Sequence, residues 1–164
     1  MTAAEAIRSA PPSQHFIDGA YAQSAGGAKI EVRSPAFGEL IATVPDATAE
    51  DVDRAVAAAR ASFESKSWRS KDPSEKELIL WRLAGLMEQH KDELAALESM
   101  ENGKTLREAL RADVNPGIDA VRYYAGWVRR IYGETIPVDG AFLNYTLREP
   151  VGVVGAIVPW NYPT

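Results

Sequence analysis

The sequence predicts an incomplete α/β domain preceded by a mostly helical lobe, and three observations carry that expectation. Val151 to Val158 is apolar without alternation, the pattern of a strand covered on both faces in a parallel sheet. From Thr48 to Ile131 apolar residues recur at helical spacing through successive segments. On either side of that stretch, short arms meet across Gly-containing turns and read as β-hairpins. A parallel sheet needs crossover partners, and only one candidate central strand is present. The chain is therefore expected to be the front part of a longer protein.

The elements follow in order. "HFIDGAY" sets Asp18-Gly19 between two apolar-aromatic arms, and "KIEVRSPAFGELIATV" pairs two more across Ser34 to Gly38. Thr48 and Asp51 have capping-box spacing, and Val52, Ala55, Val56, Ala59 and Phe63 mark the buried face of a first helix. After a polar loop from Ser65 to Pro73, Ser74 and Glu77 repeat the capping pattern, with Ile79, Leu83, Leu86 and Met87 lining a second helix. Leu94 and Leu97 continue into a third helix that ends at Asn102-Gly103. A short helix from Thr105 is expected to break near Asn115-Pro116-Gly117, because Pro116 has no interior N–H to donate. Ile118, Val121, Ala125, Val128 and Ile131 then predict a fourth long helix. Beyond Gly133, Asp139-Gly140 marks a turn, and Leu143, Tyr145 and Leu147 alternate with polar residues as a strand with two unlike faces.

Composition narrows the function classes. With 164 residues, 46% of them hydrophobic, there is enough for one domain of ordinary size. A net charge of −5 with intermixed signs gives no basic face, which argues against nucleic acid as a partner. The longest apolar run is too short to span a bilayer, so no membrane partner is expected. Residues 1–12 lack the layout of a secretory signal and read as a disordered N-terminus, leaving a cytoplasmic protein as the default. There is no cysteine, so disulfides and thiolate metal sites are ruled out, and with them the most obvious nucleophile. His15 and His90 stand far apart without metal-ligand spacing; surface or cap positions explain both, and no metal site is expected.

Signals for chemistry are few. "GVVGAIVP" has two glycines three apart, which fits a packing device as well as phosphate approach, and "RYYAGW" reads as a core stripe. "GEL", "ENGK" and "DG" read as turns or caps, and most acidic residues as solvated. The exception is "PWNYP". An Asn at the C-terminal end of a buried strand lies where open α/β sheets gather ligands, and its amide can face a reacting group. Equally, Asn161 can close an Asx turn on its own backbone.

"TIPVDGAFLNYTLREPVGVVGAIVPWNYP" resembles the segment by which NAD(P)-dependent aldehyde dehydrogenases are identified. The likeness runs upstream through "RYYAGW", "ENGK", "EDVDRAVAAARASF", "SPAFGELIA" and "FIDGAY" and covers nearly the whole chain. It implies an aldehyde-dehydrogenase-like α/β fold with an incomplete Rossmann-type cofactor domain, an N-terminal helical lobe and a β oligomerisation arm. Residues 13–134 would form the hairpins and helical lobe, 135–150 the arm, and 151–164 the first strand and active-site loop. The arm implies a homodimer or homotetramer of the full-length protein.

The resemblance further implies oxidation of aldehydes to carboxylic acids with NAD or NADP, NAD being the preferred expectation. A cysteine thiolate attacks the aldehyde, hydride passes from the tetrahedral adduct to the cofactor, and a glutamate activates water to hydrolyse the thioester. By the same resemblance Ile157, Val158, Pro159 and Trp160 lie along the nicotinamide riboside, Tyr162 lines the aldehyde tunnel, and Asn161 is the oxyanion-stabilising amide. A neutral donor fixed where charge develops favours the transition state over the ground state. The family's Cys, general-base Glu and cofactor-phosphate Lys have no counterpart in these 164 residues, so the chain alone is expected to be inactive. The alternative is a catalytically dead oligomerisation module that pairs with intact subunits.

Overall fold

The computed structural model describes residues 14–164; the disordered terminus expected for residues 1–12 lies outside them. Strands β1 (His15–Ile17) and β2 (Ala20–Ala22) pair antiparallel with Phe16 opposite Tyr21. Asp18 and Gly19 both take positive φ, 54° and 75°, the turn whose twist suits a two-residue hairpin. Strands β3 (Lys29–Arg33) and β4 (Leu40–Pro45) form a second hairpin across the expected turn, closed by the Gly38 N–H donating to the Ser34 carbonyl at 2.8 Å.

Helix α1 (Ala49–Glu64) starts on the expected capping box. Its apolar stripe, however, is open: Val52 and Val56 are exposed rather than buried. The helix leans on β1. Helix α2 (Pro73–Gln89) begins two residues earlier than the sequence suggests, with Asp72 and Glu75 forming the box in place of Ser74 and Glu77. Pro73 suits the first helical position because its missing N–H would be unpaired there anyway, so the cap falls on the residue before it. The packed stripe of α2 is Leu80, Ala84 and Met87, whereas Ile79, Leu83 and Leu86 are exposed. Helix α3 (Lys91–Asn102) follows through His90 and stops at Gly103, whose φ of 85° closes the helix.

The short α4 (Leu106–Glu108) is capped by Thr105 and leads into a π-helical turn, Ala109–Val114, and then α5 (Asn115–Ala125). The break expected at Asn115 to Gly117 does not occur. The Asn115 N–H bonds the Leu110 carbonyl, five residues back, and Pro116 becomes a first-turn residue whose lost donor matters little. α5 ends at Ala125 and does not reach Ile131; beyond it the N–H groups of Trp127 and Arg130 bond carbonyls three residues back. Tyr123 and Tyr124, expected in a core stripe, are exposed because α5 packs on α2 through its other side.

The core is Ala84, Ala95, Ala109, Val114 and Ile118, flanked by Met87, Leu94, Leu110 and Val121. Three alanines let α2, α3 and the π turn approach closely around Ile118 and Val114. Burying each of those two side chains stabilises the fold by roughly 1.5–3 kcal/mol. Strands β5 (Thr135–Ile136) and β6 (Asn144–Tyr145) form a small third hairpin, and Leu143, Tyr145 and Leu147 along it are exposed. Val151 to Val158, expected as a strand, forms no ladder: no described segment lies beside it to exchange backbone hydrogen bonds. Mixed helices and strands make this a partial α/β fold, with the terminal loop laid against α3 and α5.

Candidate active-site loop

Within the loop from Ile157 to Thr164, the alternate residues Trp160, Tyr162 and Thr164 are seated. The Asn102 side-chain amide, at the end of α3, donates to the Trp160 carbonyl at 3.2 Å. The Lys104 ammonium stands over the Tyr162 ring, 4.1 Å from its centre. The Thr164 hydroxyl donates to Glu98 Oε2 at 3.3 Å. Gly117 receives the end of the loop, since a Cβ there would lie 3.0 Å from the Thr164 carbonyl oxygen. Asn161 sits between two of these attachments and is itself exposed.

Beneath the loop lies a largely buried charged group. Lys104 Nζ donates to Glu98 Oε1 at 2.7 Å and to Asp113 Oδ2 at 2.9 Å, and both carboxylates are buried. Burial opposes the Lys104 charge, but the hydrogen bonds it donates to Glu98 and Asp113 outweigh it and hold the ammonium above its ordinary pKa. Glu98 is pushed up, first by burial and then by the neighbouring Asp113 carboxyl. In sequence Lys104 reads as part of a turn, and Glu98 and Asp113 as solvated. The available signal was position: Glu98 lies four residues after Leu94, and Asp113 four after Ala109, each on a buried helical stripe.

Ile157, Val158 and Trp160 form an exposed apolar ledge beside Pro159, with Ile157 wholly exposed. Tyr162 is half exposed. Trp160 and Pro163 also line a cavity of about 330 Å³ together with Arg33, Pro35, Glu101 and Asn102. No group of three or more His, Cys, Asp or Glu suited to a metal occurs among the described residues. His90 is a cap histidine, its Nδ1 2.9 Å from Glu93 Oε2. His15 is not a plain surface residue; it is largely buried, with Nε2 3.7 Å from Asp51 Oδ2. No described helix is long and apolar enough to cross a membrane.

The same lobe recurs in known proteins. Aminoacetaldehyde dehydrogenase of Pseudomonas aeruginosa is 45% identical over 152 residues, which cover 93% of this chain and 31% of that protein. The mitochondrial aldehyde dehydrogenase of Rattus norvegicus is 42% identical over 92% of this chain and 29% of its own length. The NAD+ complex of an aldehyde dehydrogenase from Bacillus cereus superposes with a TM-score of 0.89 at 44% identity, covering 93% of this chain and 31% of that one. The chain thus spans about three tenths of the length of the relatives it matches. The sequence model described as "Aldehyde dehydrogenase family" matches residues 21–164, and the chain belongs to that family.

Proposed function

We propose that the chain supplies the N-terminal hairpins, helical lobe and active-site loop of an NAD(P)-dependent enzyme that oxidises aldehydes to carboxylic acids. The observation that carries this reading is Asn161, exposed between two anchored residues of a loop held against the lobe. An amide fixed in that way offers N–H donors to an oxygen that becomes negative when a nucleophile adds to the carbonyl. Tyr162, half exposed beside it, is suited to contact the aldehyde side chain.

The ledge of Ile157, Val158, Pro159 and Trp160 suits the flat nicotinamide-riboside end of NAD(P)+, because it presents apolar surface against which a planar ring can lie. Bound there, the cofactor supplies the hydride acceptor. Contacts to its phosphates are assigned to residues outside this chain, and NAD is favoured over NADP by the NAD+ complex of the similar Bacillus cereus enzyme. In this reading residues 13–134 are the lobe, 135–150 an oligomerisation arm and 151–164 the start of the cofactor domain. Exposed Phe142, Leu143 and Leu147 suit an arm that meets another subunit in a homodimer or homotetramer. The same exposed ribbon favours a second reading, an inactive oligomerisation module.

The test joins residues 1–164 to the remaining segment of the Pseudomonas aeruginosa relative and compares Asn161→Ala with Asn161→Asp. Loss of one oxyanion donor lowers kcat by about a hundred- to a thousandfold, on the order of 3 to 4 kcal/mol, with melting temperature and cofactor affinity little changed. Asp keeps the shape but repels the oxyanion, so it is at least as damaging. An Asn161 that merely closes its own turn gives the opposite order, because Asp forms the same turn and Ala does not.

A further inference from the structure

We infer that Lys104 is a positioning residue for the loop that carries Asn161, acting as a three-way clamp between the buried carboxylates of Glu98 and Asp113 and the face of Tyr162. This rests on the proposed role of Asn161 for its functional meaning, but its geometry stands apart from that role. A lysine has three donors and no acceptor. Here two are spent on Glu98 Oε1 and Asp113 Oδ2, at 2.7 and 2.9 Å, and the ammonium also stands over the Tyr162 ring.

Glu98 makes the clamp two-sided. One of its oxygens holds Lys104 and the other accepts the Thr164 hydroxyl, so the same carboxylate fixes the cation and the end of the loop. Tyr162 and Thr164 are therefore held through one charged centre, and Asn161 precedes the first of them directly. The π-helical turn brings Asp113 to this centre, where its carboxylate accepts a second hydrogen bond from the ammonium.

A cation is needed at this point for two reasons. A neutral residue would leave two buried carboxylates facing each other, and a ring face attracts a cation far better than it attracts a methyl group. Among the described residues, the apolar wall of the loop, Trp160 and Pro163, has no comparable polar anchor beyond the Asn102 contact with the Trp160 carbonyl. Without the ammonium, Tyr162 loses its counterpart and the loop hangs from its two ends.

Backbone 15N order parameters of the 164-residue chain, read residue by residue, test the clamp. Lys104→Met is expected to lower the order parameters of residues 160–162 and 164 from the range of ordered backbone, about 0.85, to below about 0.6. Lys104→Arg, which keeps the charge, restores most of the order. Because Lys104→Met also strands two carboxylates, Tyr162→Leu provides the second arm: it leaves the charged group intact and should loosen the same residues while α2 and α5 stay as ordered as in the parent. If residues 160–162 and 164 are equally ordered in the parent and Tyr162→Leu chains, or if Lys104→Arg is as loose as Lys104→Met, the clamp is wrong. Because the readout is loop order and not turnover, a Lys104-dependent loop with a catalytically silent Asn161 overturns only the proposed function.

Discussion

The Asp51 carboxylate accepts the Ser24 hydroxyl at 2.7 Å and so joins the start of α1 to the linker between the two N-terminal hairpins. The same carboxylate receives the backbone N–H groups of Thr48 and Ala25, both at 3.0 Å, and the Arg54 guanidinium at 2.7 Å. These bonds, led by the Thr48 and Ala25 N–H groups and opposed by burial, hold its pKa far below the usual aspartate range. One side chain therefore serves as helix cap and as tie between elements.

Asp51→Ala is expected to lower the melting temperature by several degrees and to increase exchange at both Thr48 and Ala25. Asp51→Asn keeps an acceptor oxygen and should be milder. The pH dependence has a definite sign. A folded-state pKa below the unfolded one gives stability that is present above the unfolded value and lost as pH falls, so the decline starts at about pH 4 and continues well below it. A pH titration of melting temperature with the parent and the Asp51→Ala chains checks this, the variant losing the acid-side slope.

Ile118→Ala should destabilise the lobe by about 2–5 kcal/mol, the range for removing a fully buried aliphatic side chain. Urea unfolding followed by circular dichroism measures it. Val121→Ala, at the margin of the same cluster, should lose clearly less.

Assayed alone with NAD(P)+ and a panel of aldehydes, the chain should show no growth of the absorbance of reduced cofactor. An oxyanion forms only after a nucleophile adds, and the sequence contains no thiol. Turnover by clean protein would refute the assignment of the nucleophile to another segment.

Removing residues 151–164 is expected to shift the chain from associated to monomeric in light scattering. Val151, Val154, Ile157 and Val158 are all strongly exposed, a contiguous apolar segment with high β propensity and no charge. Equal monodispersity of both forms would count against association through this segment.

Local signals were legible in the sequence where a few neighbouring residues decide the outcome. Asp18-Gly19 forms its tight turn, Thr48 and Asp51 cap α1, and Gly103 ends α3, because each depends on backbone chemistry within a few positions. What periodicity could not reveal was which of two apolar stripes meets a neighbour. On α2 both Leu80–Ala84–Met87 and Ile79–Leu83–Leu86 have helical spacing, and only the position of α5 selects the first. Val151 to Val158 has the composition of a buried strand, but a strand is defined by its partner's hydrogen bonds. The terminal loop was marked by Asn161 and its prolines, whereas its seat was hidden: Glu98, Lys104, Asp113 and Thr164 are spread over 66 positions and meet only in space.

The π-helical turn between α4 and α5 also sets an angular phase. Each residue of a helix advances its side chain by about 100°, so a one-residue insertion or deletion turns everything downstream by that amount. Deleting one residue within Ala109–Val114 would return the segment to ordinary α-helical bonding. α5 would then rotate relative to α3, carrying Ile118 away from Ala84 and Ala95 and Gly117 away from Thr164. Core and loop seat would be lost together, which makes the length of this turn less tolerant of change than the identity of any exposed residue in it.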